Sequence, residues 1–279
     1  MMTNGISFQG EPGAYSHQAC VEMFPDMEAL PCNTFEGAVA AVKEGRAELA
    51  MLPVENSTYG RVADIHHLLP ETGLHIIGEH FVRVHINLMV VPGTKLEQVK
   101  QAMSHTVLLG QCRTFLKEHA IAPRTGVDTA GSAKQVAEDG NPAMAALASE
   151  LAGSIYGLET LAANIEDNQH NTTRFLVMAP EPKRPTGEGL MTTIVFQVRN
   201  IPAALYKAMG GFATNSVNML KLESYMVGGN FTATQFYADI EGHPGDAAVD
   251  RALEELAYFT THLDILGVYP MDGFRKSVK

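Results

Sequence analysis

The chain has 279 residues, 46% hydrophobic and 18% charged, and carries a formal net charge of −11. That composition describes a soluble globular protein long enough for two domains, and its negative field excludes a nucleic-acid binder, whose phosphates it would repel. An acidic ligand would need a local cationic pocket.

Three cysteines, Cys20, Cys32 and Cys112, are an odd number without CxxC spacing, which argues against a disulfide framework or a zinc site and for a reducing, cytoplasmic setting. Met1-Met2-Thr3-Asn4-Gly5 is not a basic-then-apolar leader, and no apolar run reaches the ~18 residues of a membrane span. The expectation is a protein neither exported nor anchored.

Ile6-Ser7-Phe8 reads as a short strand broken at Gly10-Glu11-Pro12-Gly13, followed by a helix over Tyr15 to Phe24 with Ser16 near its start. A glycine-bearing turn ahead of a helix presents free N–H groups to an anion, although the full GxGxxG is absent. Asn33-Thr34-Phe35-Glu36 is an N-cap signature, and Phe35, Ala38, Val39 and Val42 share one face of a helix ending at Gly45. Leu49 to Leu52 follows as a buried parallel strand, completing a βαβ unit. Ligands of such sheets gather at the carboxyl ends of the strands, where Glu55-Asn56-Ser57-Thr58 stand just after Pro53.

The pattern continues with a helix around Val62 to Leu69, strands at Leu74 to Gly78 and Val84 to Val91, and a helix over Thr94 to Met103 capped by Thr94 with Glu97 three residues on. Ser104-His105 comes next, then Gly110-Gln111-Cys112-Arg113, which opens a further helix. Elements at Ser132 to Glu138, Met144 to Leu147, Ser149 to Tyr156 and Leu161 to Ile165 lead to Asn171-Thr172-Thr173-Arg174-Phe175, just before the apolar Leu176-Val177-Met178. Two hydroxyls and a guanidinium there suit a carboxylate, but a Thr- and Arg-rich run is more often an exposed strand entry. The alternation implies α/β architecture with two lobes and a cleft.

Residues 180–189 hold three prolines and two glycines, which is linker composition. The expected division is a first domain over 1–180, a linker over 181–189 and a second domain over 190–279. The last reads strand (Thr192 to Val198), helix (Pro202 to Ala213, with Pro202 at its first position), strand (Met219 to Tyr225), a Gly228-Gly229-Asn230 turn, strand (Phe231 to Ile240), helix (Gly245 to Phe259) and strand (Ile265 to Tyr269). That βαββαβ order is a ferredoxin-like module.

Phe8-Gln9-Gly10 with Gly13-Ala14-Tyr15-Ser16, Pro53-Val54-Glu55-Asn56-Ser57, Ser104-His105 with Gln111-Cys112, and Asn171-Thr172-Thr173-Arg174-Phe175 occur in an order that resembles prephenate dehydratase with a C-terminal ACT regulatory domain. The resemblance spans about residues 5 to 270. It implies a two-lobed, periplasmic-binding-protein-like catalytic domain and conversion of prephenate to phenylpyruvate in phenylalanine biosynthesis, without metal or cofactor. It also assigns roles. Thr173 faces the leaving group as a placed donor, with Glu55, Asn56 and Gln111 as its catalytic companions. Ser104, Thr172, Arg174, Phe175, Tyr15 and Ser16 bind substrate, Arg174 through bidentate pairing and helped by N–H groups of the helix beginning near Gln111. Structural roles compete: Glu55 as a cap or ion pair, Ser104 as an N-cap, Arg174 as a brace and Phe175 as core. Thr106-Val107 replace the family's usual Pro-Gln after Ser-His.

For the C-terminal module the resemblance implies an amino-acid effector, L-phenylalanine, framed by Ala204, Leu205, Asn218, Glu223 and Ser224, with Tyr225-Met226 where Arg-Pro is usual. It also implies a homodimer or homotetramer, whereas the competing role for the module is dimerisation alone. The histidines at 66, 67, 75, 80 and 85 match no metal template and read as solvated positions, and Met209, Met219 and Met226 read as core. Two other functions fit the same pattern: arogenate dehydratase, and a noncatalytic cytosolic sensor with a solute-receptor cleft.

Overall fold

A computed structural model describes residues 4–226 and 233–277. In chain order its elements are β1 (Gly5–Gln9), α1 (Tyr15–Met23), β2 (Glu28–Cys32), α2 (Phe35–Lys43), β3 (Leu49–Asn56), β4 (Gly60–Arg61), α3 (Ala63–Leu68), β5 (His75–Arg83), β6 (Asn87–Val90), β7 (Gln101–Ser104), α4 (Thr106–Gln111), α5 (Arg113–Glu118) and β8 (Ala122–Thr125). They continue with α6 (Thr129–Asp139), β9 (Met144–Ala148), α7 (Glu150–Tyr156), β10 (Glu159–Ala162), β11 (Thr172–Ala179), β12 (Leu190–Val198), α8 (Ala204–Thr214), β13 (Met219–Met226), β14 (Ala233–Glu241), α9 (Ala247–Phe259), β15 (Thr260–Pro270) and α10 (Phe274–Ser277). Contacts group the chain into two compact units. One is the chain up to Val62 with His80–Phe175, and the other is Ala63–Glu79 with the chain from Leu176 onward.

The first unit contains two sheets. In one, β1 lies between β2 and β3, parallel to both, and β4 closes back on β3. Ile6, Phe8 and Leu49 to Leu52 are buried along β1 and β3, the continuous apolar run of strands covered on both faces. Thr34 caps α2 by accepting the Gly37 N–H at 3.0 Å, so that Ala38, Val39, Ala41 and Val42 turn inward. The other sheet runs β10-β6-β9-β7-β8 around Leu88, Val90, Ala145 and Leu147, and Tyr15 from α1 packs against this second core.

The Gly13 turn joins the two halves of this unit. Gly13 has φ of +93°, and a Cβ there would lie 2.6 Å from the Ala152 Cα; only glycine allows that approach. Its carbonyl accepts the Ser149 hydroxyl at 2.6 Å, and the Pro12 carbonyl accepts the Tyr156 hydroxyl at 2.8 Å.

In the second unit, β13-β14-β12-β15 form an antiparallel sheet. Phe196, Phe236, Phe212 and Leu256 belong to the core where α8 and α9 pack. This is the ferredoxin-like strand order. The start of β5 runs parallel to β15 through Ile76 and Gly267, where a Cβ on Gly267 would overlap the Ile76 carbonyl oxygen.

Several expectations need correction. No α-helix covers Thr94 to Met103: a single 3₁₀ turn at Leu96–Gln98 leads into β7, because Ala102 and Met103 are buried within the second sheet, and tertiary burial outweighs a local cap. Gln111 itself ends α4, and the further helix expected there, α5, opens two residues on at Arg113. Helix α8 starts at Ala204 behind Ala203, which has φ of +61°, so Pro202 is not its first position. The Gly228-Gly229-Asn230 turn and Phe231 lie outside the described residues.

Candidate active site

The carboxyl end of β3 and the first residues of β11 meet side by side. The Ser57 N–H donates to the Thr172 carbonyl at 2.8 Å, and the Ser57 hydroxyl donates to the His170 carbonyl at 2.7 Å and accepts from the Thr172 N–H at 2.9 Å. Ser57 thus extends the strand pairing by a side chain and fixes the register of residues 170–173 against β3.

That register brings Asn56 to Asn171 and Thr173. The Asn56 Nδ2 donates to Asn171 Oδ1 at 2.7 Å and to Thr173 Oγ1 at 3.0 Å. Its Oδ1 accepts the Thr58 and Tyr59 N–H groups at 2.9 and 3.0 Å, so the amide cannot flip without losing both of its backbone donors. Thr173 therefore serves Asn56 as an acceptor and keeps its own O–H to donate elsewhere. Asn171 is 1% exposed, and its Nδ2 finds no hydrogen-bond partner among the described residues. A buried unsatisfied amide marks a place prepared for another group.

Strand alternation sends Glu55 and Arg174 to the opposite side from Asn56 and Thr173. There Arg174 Nη1 lies 2.9 Å from Glu55 Oε1, with the arginine side chain 1% and the glutamate 29% exposed. Phe175 is buried, consistent with its core reading, and Thr172 is buried as well.

Ser104 is fully buried and its hydroxyl donates to the Leu147 carbonyl at 2.8 Å, tying β7 to β9. The Tyr15 hydroxyl donates to the His85 carbonyl at 2.7 Å. Burial pushes that phenol well above its ordinary range, with the nearby Cys112 and Glu166 adding to the shift. Ser16 is buried in the first turn of α1. Gln111 is 6% exposed, and its Oε1 is a second buried polar atom without a partner among the described residues.

The N–H groups of Arg113 and Thr114 at the start of α5 donate to the Asp167 carboxylate at 3.1 and 3.2 Å. They are therefore committed to the protein, which corrects the expectation that they meet a ligand. Glu166 accepts the Ile86 N–H at 3.0 Å, and Asp167 donates its own N–H to the Gln111 carbonyl at 2.6 Å. Sequence reasoning missed Asn171, Ser57 and this Glu166-Asp167 clasp. Asn171 and Ser57 stand inside motifs already singled out, but nothing local signals Asp167, whose partners are more than fifty residues away.

The structure thus unites Asn56, Asn171 and Thr173 directly, pairs Glu55 with Arg174, and gives Ser104 and Tyr15 backbone partners elsewhere. The prephenate dehydratase family model matches residues 6–183, which covers all of these residues and well over half of the chain. The chain belongs to the prephenate dehydratase family. A bifunctional N-acyl-homoserine lactone acylase/prephenate dehydratase of Komagataeibacter europaeus is 51% identical over 273 residues, 97% of each chain. Arogenate dehydratase/prephenate dehydratase 1 of Arabidopsis thaliana is 39% identical over 97% of this chain and 73% of its own.

Among solved structures, GqqA, described as a novel type of quorum quenching acylase, superposes with a TM-score of 0.91 at 51% identity, covering 97% of this chain and 99% of that one. Prephenate dehydratase of Arthrobacter aurescens in complex with L-Phe gives 0.88 at 30% identity, covering 96% and 90%. In this chain none of the three cysteine thiols has the lowered pKa of an activated nucleophile. Burial pushes the Cys20 thiol up to about 12 and raises Cys32 and Cys112 as well, Cys112 further under the charges of Asp167 and Glu166.

Proposed function

We propose that the protein catalyses the decarboxylating dehydration of prephenate to phenylpyruvate, with the Thr173 hydroxyl donating to the departing oxygen. The observation that carries this is the Asn56 Nδ2 to Thr173 Oγ1 bond at 3.0 Å, which occupies an acceptor site of the hydroxyl and leaves its proton to be directed at substrate. In the reaction the bond from the ring to its carboxylate breaks and carbon dioxide leaves. That electron pair enters the ring, the C–O bond breaks, and the released oxygen leaves as water after gaining a proton. Thr173 has no useful acidity near neutral pH, so it acts as a placed hydrogen-bond donor that stabilises charge growing on the oxygen.

The unpartnered Asn171 Nδ2 suits a substrate carboxylate or carbonyl, and the unpartnered Gln111 Oε1 suits a substrate donor such as the departing hydroxyl. Glu55 and Arg174, paired at 2.9 Å, hold the strand ends together, which supports the bracing role for Arg174 over direct carboxylate pairing. Prephenate and arogenate, supplied side by side while phenylpyruvate and phenylalanine are followed, test the reading. Turnover of either that survives Thr173→Ala unchanged removes Thr173 from the mechanism. Arogenate remains a competing substrate because the Arabidopsis relative is named for both.

Regulation belongs to the same proposal. The ferredoxin-like module is an ACT-type sensor for L-phenylalanine, supported by the Arthrobacter relative in complex with L-Phe, and the protein acts as a cytoplasmic homodimer or homotetramer. Ala204 and Leu205 open α8, Asn218 precedes β13, and Glu223 and Ser224 lie on β13. Tyr225 is buried and its hydroxyl accepts from Gln235 Nε2 at 2.7 Å, so it fills core where the family's arginine would offer a cation. Sedimentation and activity measured over millimolar phenylalanine test this; no response of either makes the module structural.

A second activity is favoured by one observation, the 51% identity over 97% of each chain to the Komagataeibacter acylase/dehydratase. Hydrolysis of an N-acyl-homoserine lactone by this protein would then accompany the dehydratase. Release of homoserine lactone by purified protein decides it.

A further inference from the structure

The second unit carries a partly open cavity of about 540 Å³ lined by the 182–186 segment, His75, His243, Pro244, Ile265, Gly267 and Val268. It is separate from the Asn56–Thr173 group, all of whose members lie in the first unit. Its volume falls in the range of small-molecule sites, roughly 300–1,000 Å³.

Its floor is apolar and exists because of a glycine. Gly267 lets β15 run beside β5 at Ile76, since any Cβ would overlap the Ile76 carbonyl. Ile265 and Val268 flank it, and Pro182, Pro185 and Pro244 supply stiff apolar walls. Ile265 is 41% exposed, a large apolar side chain presented to the cavity.

The rim is cationic. Lys183 and Arg184 line the cavity, and neither has an ion-pair partner among the described residues. Two unpaired cations on one short segment are notable in a chain of net charge −11, where carboxylates outnumber them and surface pairing is the common outcome. His243 is already engaged, with Nδ1 2.7 Å from the Pro244 carbonyl and Nε2 3.5 Å from Asp246 Oδ1. The free polar capacity therefore belongs to Lys183, Arg184 and His75.

We propose that this cavity binds a small monocarboxylate with an apolar body, the carboxylate on Lys183 and Arg184 and the body over Ile265, Gly267 and Val268. The overall negative charge disfavours a polyanion, and the apolar floor disfavours a bare one. An aromatic acid and a short acyl acid share this chemistry.

Calorimetric titration of the full-length protein with phenylacetate, octanoate and inorganic phosphate tests it. The expected result is millimolar or tighter binding of at least one carboxylate, weakened roughly tenfold or more in K183A/R184A through loss of charge-assisted contacts, with prephenate turnover unchanged. Phenylacetate binding ahead of octanoate identifies the aromatic source, and the reverse identifies the acyl source. Ile265→Glu, which places an anion on the apolar floor, is expected to abolish binding in a variant whose cations are intact. Carboxylate binding that persists in both variants, no binding of either carboxylate at millimolar concentration, or phosphate bound as tightly as the carboxylates overturns the proposal.

Discussion

Asn56 donates through one amide nitrogen to Asn171 Oδ1 and Thr173 Oγ1, at 2.7 and 3.0 Å, while its oxygen is held by two backbone N–H groups. The hydroxyl of Thr173 is thereby oriented by a side chain that is itself immobilised from the backbone. Preorganised donors of this kind lower a barrier because they need not reorganise as charge develops.

Thr173→Ala is expected to reduce kcat by roughly ten- to a thousandfold, the range of donor and acid contributions, with KM for prephenate little changed. Thr173→Ser retains the hydroxyl and should recover much of the loss. Asn56→Ala should lower kcat as well, because the hydroxyl loses its orienting donor. Steady-state kinetics on the three variants, with melting temperatures beside them, separates loss of chemistry from loss of fold.

Glu55→Gln removes one carboxylate from the Arg174 guanidinium, whose side chain is 1% exposed. A destabilisation of about 3 kcal/mol is expected, at the low end for breaking a buried ion pair because Glu55 keeps some solvent contact. Urea unfolding of wild type and variant measures it. A large rise in KM with no shift of the unfolding midpoint would instead make this pair a substrate anchor.

His17 accepts the Gly13 N–H through Nδ1 at 2.9 Å and stacks on Phe8; burial lowers its pKa from 6.5. The unfolded chain therefore binds more protons than the native one below that value. The His17 contribution is fully present above pH 6.5 and is lost as pH falls toward the depressed native value. Stability should decline on acidification through this window, and more shallowly in His17→Gln, as followed by denaturant midpoints across the pH range.

Alkylation distinguishes the cysteines. The Cys20 thiol, pushed up to about 12, and the buried Cys112 should resist iodoacetamide at mildly alkaline pH in the native state. Cys32, only partly buried, should react first, though slowly, since its thiol is raised too. Mass spectrometry after timed quenching reads the order, and rapid labelling of Cys112 would contradict the burial described.

Much of the fold was legible because its signals are local. The capping threonine at 34, the apolar face of α2 and the buried run of β3 are periodicities and caps that survive in any context. The order of elements in the second unit followed the same rules. Thr94 to Met103 failed because a capping pattern describes a preference of a fraction of a kcal/mol per residue, whereas burial of Ala102 and Met103 in a sheet is worth more. Helix starts shifted by a residue or two, as at Ala204, where a left-handed residue rather than a proline sets the boundary.

The candidate site divides in the same way. Sequence by itself determined which residue types were on hand: a hydroxyl at 173, amides at 56, 111 and 171, a cation at 174 and an acid at 55. Tertiary structure decided their employment. It gave Arg174 to Glu55, Ser104 to the Leu147 carbonyl, Tyr15 to the His85 carbonyl and the first N–H groups of α5 to Asp167, leaving Thr173, Asn171 and Gln111 with capacity to spare. The reason is physical: a polar group's role depends on whether the fold has already satisfied it, and the partners that do so stand 43 to 119 residues away along the chain, beyond the reach of any local pattern.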